Sequence, residues 1–264
     1  MAWNIVQNVL HRGSVLYQEA ELLVREGLRE PRVYYSILRA VSDGLTRLSD
    51  ITARVRGAAG GSDLSPYLAT LQDLELVEYL RPVVGTPIRR GIWTVSDPYL
   101  RFWFRFVLPH RNRLEHGADV ERFYSDVVGP DLDHFVSKPT FEEICHSWVL
   151  DQVEAGTWPS IERVGAWWGP IPAPTPDQPR RQAAAELEVV GVGANRVVVA
   201  GEAHWTREPI GFGVFKHLRD VVRHVPGVGN DTELFLFGRR FESRLKAAAY
   251  DAHVRLVSPA DLFS

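Results

Sequence analysis

The sequence is poor in cysteine and in lysine. Cys145 is the only cysteine among 264 residues, so the chain cannot form an internal disulfide, and we expect a reducing compartment. Lysine occurs only at Lys138, Lys216 and Lys246, and arginine carries nearly all of the positive charge. Genome composition alone can produce this bias, so it indicates no function.

Long apolar runs are also missing. No stretch approaches the roughly 18 consecutive apolar residues that a membrane-spanning helix needs, and the N-terminus lacks a signal-peptide pattern. The formal net charge is −3, which excludes the strongly basic proteins that coat polyanions. With 45% hydrophobic residues, the chain can bury a substantial core in one domain or two. These totals predict a cytoplasmic protein without a membrane partner.

The first part of the chain has the periodicity of helices followed by a hairpin. Apolar spacing predicts amphipathic helices over 15–30 and 33–42, a short helix in "LSDITARVR", and a fourth helix in "LSPYLATLQDLELV" with Ser65 as its N-cap. Two strand-like runs follow, "VEYLRPV" and "RGIWTV". This order is that of a winged helix-turn-helix, in which the third helix of the module enters a DNA groove and the hairpin touches the backbone.

Arginines gather around this predicted hairpin. Arg81, Arg89 and Arg90 belong to the wing, and the segment from Arg81 to Arg122 holds eight arginines against four acids. Such a basic patch can contact DNA phosphates. The alternative is that the wing binds protein or is simply a solvated edge. The aromatic run "RFWFRFV" at 101–107 is interpreted as buried core rather than as a surface on which bases stack.

A second α/β region begins between residues 120 and 130. It predicts a helix from about Thr140, a proline-rich extended loop "PIPAPTPDQPRRQ", strands near 184–190 and 196–204, and then helix, strand, helix and strand to the end. If the two strands form a hairpin that turns at Ala194, Glu186 lies opposite Glu202 and Glu188 lies opposite Ala200.

The hairpin predicts a cluster of charged side chains. Alternation along the strands would place four ionisable groups on one face of the sheet. These groups are Glu186, Glu188, Glu202 and His204. Carboxylates held together repel one another unless a cation lies among them, and oxygen ligands of this kind suit Mg²⁺ or Mn²⁺. A divalent ion there would support phosphodiester hydrolysis. The alternative is that these acids are solvated strand ends.

Several stretches together resemble a known family. "EPRVYYSILRAVSDGLTRLSDITARV", "YLATLQDLELVEYLRPV" and "RGIWTVSDPYLRFWFRFV" resemble the C-terminal region of archaeal-type AAA+ ATPases, a winged helix followed by the domain DUF234. The resemblance continues through "FEEICHSW", "ELEVV" and "GEAHW", which look like the motifs of the PD-(D/E)XK nuclease-like fold. It implies an α+β chain with an N-terminal winged helix-turn-helix and an α/β restriction-endonuclease-like domain.

The resemblance also implies site residues. The helical acid falls on Glu142, with Glu143 as the rival, the strand acid on Glu188, and the acid of the last motif on Glu202. His204 stands where the family has a lysine, and Glu188 stands where it usually has an aspartate. Histidine is largely neutral at pH 7, and loss of one positioned electrostatic donor typically lowers a rate by about 10²–10³. Both departures argue against an efficient nuclease.

The ATPases of this family carry a P-loop module before the winged helix, but this sequence has no G-x-x-x-x-G-K-[ST] motif. We therefore expect no nucleotide cofactor. The predicted domains are a helical extension over 1–30, similar to the last helix of an ATPase lid, a winged helix over 31–110, and the nuclease-like domain over 120–264.

Three functions follow as hypotheses. The first is a nucleic-acid-binding protein that contacts DNA through Arg81, Arg89 and Arg90 and carries a degenerate nuclease-like domain. The second is a divalent-metal-dependent nuclease that uses Glu142, Glu188 and Glu202 as ligands, with His204 as a proton carrier or soft-metal ligand. The third is a regulatory partner of a separately encoded P-loop ATPase.

Overall fold

The protein is a mixed α+β chain with a small antiparallel sheet and a larger mixed sheet. The computed structural model describes residues 2–27, 31–55, 57, 63–85, 91–175, 177–178, 180–194 and 196–263. It divides into two compact units, the first formed by Met1–Leu80 with Arg89–Leu132 and the second by Arg81–Ile88 with Asp133–Ser264. Among the helices described, none combines the length and apolar character needed to cross a membrane.

The first unit is mainly helical. Its helices are α1 (Ala2–Ile5), α2 (Val15–Gly27), α3 (Pro31–Ser42), α4 (Leu48–Val55), α5 (Ser65–Asp73), α6 (Pro98–Phe102), α7 (Arg111–Glu115) and α8 (Val120–Phe123). Helix α3 shows why the periodicity holds, because Val33, Ile37, Leu38 and Val41 recur at helical spacing and are all buried. Pro31 fits at the start of this helix, where its missing N–H leaves no intrahelical bond unmade.

Strands β1 (Val77–Leu80) and β2 (Ile92–Val95) form the predicted antiparallel pair. The order of three helices and two strands is therefore the one that the sequence predicts. The prediction that Ser65 caps α5 is wrong. The helix already includes Ser65, whose backbone N–H donates to the Asp63 side chain at 3.0 Å.

The aromatic run after the hairpin is buried, as predicted, and the structure shows that it is also helical. Helix α6 continues into a π-helical turn over Trp103–Val107. Phe102, Trp103, Phe104 and Phe106 are each at most 7% exposed, so their rings belong to the core of the first unit. This burial removes them from consideration as a stacking surface for bases.

The second unit is built on a five-stranded sheet in the order β3-β4-β5-β6-β7. Its strands are β3 (Arg163–Pro172), β4 (Gln182–Gly193), β5 (Arg196–His204), β6 (Glu233–Gly238) and β7 (Val254–Val257). Strand β4 is antiparallel to both of its neighbours, β3 and β5, whereas β5, β6 and β7 run parallel to one another. Its helices are α10 (Phe141–Glu154), α11 (Phe212–Val222), α12 (Ser243–Asp251) and α13 (Pro259–Leu262), and α9 (Gly129–Phe135) leads into the unit from the first.

Helices cover both faces of this sheet. On one face, Phe141, Cys145, Trp148 and Val149 of α10 pack in a core with alternate residues of β4, β5 and β6. On the other face, α11 and α12 pack against the remaining alternate residues. Burial on both faces explains why the central strands are nearly continuous runs of apolar residues.

Strand β3 was not predicted from the sequence. Its residues include "GAWWGPIP", whose glycines and prolines are typical of a loop, and the proline-rich loop was expected to begin inside it. Pro170 and Pro172 are tolerated because β3 is the edge strand of the sheet and pairs only with β4.

The register of β4 and β5 also differs from the prediction. Val189 lies opposite Gly201 and Val190 opposite Ala200, so the strands are shifted by two residues from the expected pairing. The predicted turn is present, with Ala194 at φ 48°. A bulge against β3 lies in the same region, because Leu187 pairs with Trp167 while Val190 pairs with Gly165.

Candidate acid–base site at the strand fork

Strands β4 and β5 separate beyond the Val189–Gly201 pair, and we call Glu188–Val189 with Gly201–His204 the strand fork. Glu188 lies where the ladder ends. Its carboxylate Oε2 accepts a hydrogen bond from the backbone N–H of Ala203 at 3.3 Å, in place of a neighbouring strand. Its backbone carbonyl accepts from His146 Nε2 at 2.6 Å. The side chain of Glu188 is therefore held by β5, and its backbone is held by α10.

Glu202 is the most deeply buried acid of the fork, with 2% of its surface exposed. Each carboxylate oxygen is close to an imidazole, since Oε2 lies 2.9 Å from His204 Nε2 and Oε1 lies 2.7 Å from His217 Nδ1. His204 ends β5 and His217 lies on α11. This double contact satisfies the hydrogen-bonding needs of a carboxylate that burial would otherwise destabilise.

Lys138 contacts two more acids of the site. Its Nζ lies 2.7 Å from Glu186 Oε1 on β4 and 3.5 Å from Glu142 Oε1 at the start of α10. Glu142 is 8% exposed because it follows Phe141 on the first turn, next to the face that packs on the sheet. The charge of the rival acid Glu143 acts on His146. Glu142 is therefore the helical acid that the fold brings to the fork.

Burial and repulsion between the carboxylates change the pKa values of these acids. Burial raises the pKa of Glu142 to about 7, with the nearby Glu188 and Glu186 adding to the rise and Lys138 opposing it. Burial likewise raises the pKa of Glu188 to about 7, opposed by His204 and reinforced by Glu202. Strongly perturbed acids in one place are typical of functional sites, although structural ion pairs also produce them.

The same acids also change the pKa of His204. Burial disfavours its charged form, but the hydrogen bond with Glu202 and the charge of Glu188 together raise its pKa above the usual 6.5. The imidazole is thus more often protonated near neutral pH than an isolated histidine. This partly restores the positive charge that a lysine would supply at position 204.

The prediction that all four hairpin side chains share one face is wrong. Glu202 and His204 do share a face, and they lie on the side of α11, whose His217 binds Glu202. Glu186 lies on the side of α10 and binds Lys138. The bulge is the physical reason, because it places Leu187 and Val190 in the same core and so reverses the alternation between the two ends of β4.

The described residues do not fit a preformed divalent-ion site. No group of three or more histidine, cysteine, aspartate or glutamate side chains in the described part of the chain is placed to hold one ion. The oxygens are chemically suitable for Mg²⁺ or Mn²⁺, yet Glu202 is engaged by two imidazoles, and Glu142 and Glu186 are engaged by Lys138. The metal ligation expected for Glu142, Glu188 and Glu202 stays a prediction.

Two residues of the site were missed by sequence reasoning. Lys138 lies four residues before Glu142, which is the spacing of a helical ion pair, but its backbone is extended (φ −144°, ψ 127°) and Pro139 follows it, so the contact does not arise from one helix. His217 gave no such signal, because it meets Glu202 only through the packing of α11 on the sheet.

Of the three predicted DNA-binding arginines, Arg81 is exposed, whereas Arg89 and Arg90 lie outside the described residues.

A group of exposed arginines lies at the same end of the sheet, on the loops that follow β5 and β6 and on the first turn of α12. We call Arg207, Arg239, Arg240 and Arg244 the arginine rim. Asp133 receives ion pairs from both Arg207 and Arg239. The rim begins two residues after Trp205, which itself follows His204 at the end of β5.

Comparison with known proteins shows that part of the chain matches a sequence family. Residues 103–213 match the family DUF234, described as archaeal and bacterial proteins of unknown function. An uncharacterized protein of Methanocaldococcus jannaschii is 26% identical over 170 residues, which cover 63% of this chain and 37% of that protein. The chain thus spans little more than a third of this relative. The matched family region contains all three predicted acids and His204.

A Vibrio cholerae protein of known crystal structure is also similar. The alignment covers 95% of this chain and 54% of that chain, at 14% identity and a TM-score of 0.33. A similarity of this size does not establish a common fold.

Proposed function

We propose that the chain binds nucleic acid and that the arginine rim makes the main phosphate contacts. In this proposal the second unit is a nuclease-like domain that binds rather than efficiently cuts. The order α10-β3-β4-β5-α11-β6 agrees with that proposal, since the resemblance expects a helical acid followed by two strand acids. The observation that carries it is the excess of exposed arginine beside the strand fork.

The rim has more positive charge than its carboxylate partners neutralise. Arg207 and Arg239 share the single carboxylate of Asp133. Arg240 donates to the backbone carbonyl of Arg207, and neither Arg240 nor Arg244 forms an ion pair with a carboxylate in the described part of the chain. Arginine binds phosphate through two parallel N–H donors, so such a group suits a phosphodiester backbone.

Aromatic rings lie beneath these arginines. The Arg239 guanidinium lies 4.8 Å from the ring centroid of Trp205, and that of Arg244 lies 4.6 Å from the centroid of Phe212. Both rings are partly exposed. Arginines interleaved with aromatic rings are typical of surfaces that bind single strands by phosphate contact and base stacking.

The winged helix is retained as a proposal for the first unit, but its third helix is poorly suited to phosphate contact. Helix α5 (Ser65–Asp73) contains neither lysine nor arginine and ends with an aspartate. A helix that enters the major groove usually brings positive charge with it. We therefore assign the main contacts to the arginine rim and expect a smaller contribution from Arg81, Arg89 and Arg90.

The proposal is tested by neutralising the rim. We expect the Arg240→Gln, Arg244→Gln double variant to bind a fluorescent single-stranded oligonucleotide more weakly than the unmodified chain. The slope of log affinity against log salt should fall by about 1.4, because each lost phosphate contact lowers it by about 0.7. Fluorescence anisotropy across a series of salt concentrations measures both quantities.

A matched control is Arg163→Gln with Arg219→Gln. Arg163 begins β3 opposite Val192 and Arg219 lies in the last turn of α11, so both exposed arginines lie at the other end of these elements and their loss removes the same charge. Equal losses in the two double variants would show only a general charge effect and would contradict the proposal. The triple neutralisation of Arg81, Arg89 and Arg90 measures the contribution of the predicted wing.

The alternative function is a divalent-metal-dependent nuclease. It is favoured by the position of Glu188 between two other acids, since its charge acts on Glu142 and the charge of Glu202 acts on it. Cleavage of DNA or RNA that Mn²⁺ stimulates and that Glu202→Ala abolishes would establish this alternative.

A further inference from the structure

The acids on the α10 side of the fork are held around one positive group. Lys138 Nζ lies within hydrogen-bonding distance of Glu186, at 2.7 Å, and within ion-pair distance of Glu142, at 3.5 Å. Glu188 also acts on Lys138 electrostatically. Two carboxylates, one from α10 and one from β4, therefore contact a single ammonium group, and the charge of Glu188 acts on it as well.

We propose that the Lys138 ammonium is a tethered cation, which holds the carboxylates of Glu142 and Glu186 together in the place that a divalent ion would otherwise take. Lys138 is then a positioning residue whose charge replaces that of a metal. The inference goes beyond nucleic-acid binding and holds whether or not the arginine rim contacts phosphate.

An ordinary surface ion pair does not account for this arrangement. Isolated exposed pairs contribute little, because water solvates both partners nearly as well. Here the Glu142 side chain is only 11% exposed, while the Lys138 side chain is 49% exposed and reaches inward to it. A buried acid without a cation would be strongly destabilised, so the lysine compensates a charge that water cannot reach freely.

The chemistry of the ligands explains why a metal is the appropriate comparison. Carboxylate oxygens are the usual ligands of Mg²⁺ and Mn²⁺, and an ammonium can donate hydrogen bonds to several of them at once. The ammonium brings one charge and is covalently attached, whereas a metal must be captured from solution. While Lys138 occupies the cluster, a divalent ion would meet repulsion there, and Oε1 of both Glu142 and Glu186 is already engaged.

The test is to remove the ammonium and ask whether a divalent ion enters. We expect Lys138→Met to bind one Mn²⁺ per chain, observed as loss of the free-ion signal in electron paramagnetic resonance. Its Tm should rise by about 3 °C at a tenfold excess of Mn²⁺ over the dissociation constant. The unmodified chain should show neither effect.

Three variants serve as controls. Lys216→Met removes an exposed lysine of α11 and should gain no Mn²⁺ binding. Lys138→Arg keeps the positive charge and should also gain none. Lys138→Met combined with Glu142→Gln removes one of the oxygen ligands and should lose at least about tenfold of the acquired affinity, since each ligand carries charge that the ion needs.

A second measurement uses the unmodified protein, in case Lys138→Met does not fold. The chain has only three lysines, so ¹³C-dimethylation gives one NMR signal for each lysine in addition to the N-terminal amine. Mn²⁺ should broaden the Lys138 signal no more than those of Lys216 and Lys246. Selective broadening of Lys138, or Mn²⁺ binding that is equal in the Lys138→Met variant and the unmodified chain, would overturn the inference. Absence of Mn²⁺ binding by a folded Lys138→Met variant would overturn it as well.

Discussion

At the scale of single residues, the site contains acids that are neither fully ionised nor fully neutral at pH 7. Burial raises the pKa of both Glu142 and Glu188 to about 7, although Lys138 lies near one and His204 near the other. Protonation of such an acid stabilises the folded state relative to the unfolded state, in which carboxyl groups ionise at lower pH.

This gives a prediction for Glu142→Gln. Because the folded pKa of Glu142 lies above the unfolded value, the folded protein holds the extra proton at low pH and its stability falls as the pH rises from about 4.5 to about 7. Glutamine cannot ionise, so the variant lacks this loss. Its free energy of unfolding relative to the unmodified chain should increase by on the order of 2 kcal/mol between pH 5 and pH 8.

Urea unfolding at several pH values measures this difference. Glu154→Gln, at the exposed end of the same helix, is the matched control and should give a difference that is nearly independent of pH. A pH-independent difference for Glu142→Gln as well would mean that Glu142 is not the buried acid described here.

At the scale of elements, β5 positions the site because it lies very close to β6. Gly201 precedes Glu202, and a Cβ atom at that position would lie 2.7 Å from the Phe235 carbonyl oxygen and 3.0 Å from its Cβ. The end of the apolar run "VVVAG" is therefore explained by close packing of two parallel strands. The following "EAH" then presents Glu202 and His204 to α11, where His217 completes the contact.

Gly201→Ala should therefore destabilise the second unit. The added methyl group would displace β6 from β5, and we expect a loss of about 1–3 kcal/mol in the free energy of unfolding, the usual range for overpacking. Gly213→Ala is the control, since a Cβ there meets nothing within 4 Å and alanine favours a helix. Thermal or urea unfolding would compare them, and equal stability of the two variants would contradict this account of β5.

At the scale of the whole molecule, the sequence predicted the order of elements better than the positions of side chains. Periodicity predicted α10, the two central strands and the α/β alternation after them, because each signal is local. The sequence could not predict that Glu202 and Glu186 lie on opposite faces of the sheet, since this depends on a one-residue bulge of β4 against β3. Strand β3 itself was not predicted, because its glycines and prolines are typical of a loop. The meeting of His217 with Glu202 likewise depends on tertiary packing.

The partner hypothesis also belongs to this scale. The match to the Methanocaldococcus jannaschii protein covers only 37% of that protein, so this relative has regions with no counterpart in the match. Association of this chain with a separately encoded P-loop ATPase stays a prediction. This prediction does not depend on whether the Lys138 ammonium takes the place of a metal ion at the strand fork.

The most direct test of the role proposed for Lys138 is an anomalous diffraction map from crystals of the unmodified chain soaked in Mn²⁺. Our account predicts density for the Lys138 ammonium between Glu142 and Glu186, with no manganese peak among Glu142, Glu188 and Glu202. A manganese peak bridging those carboxylates, with Lys138 turned away, would contradict it.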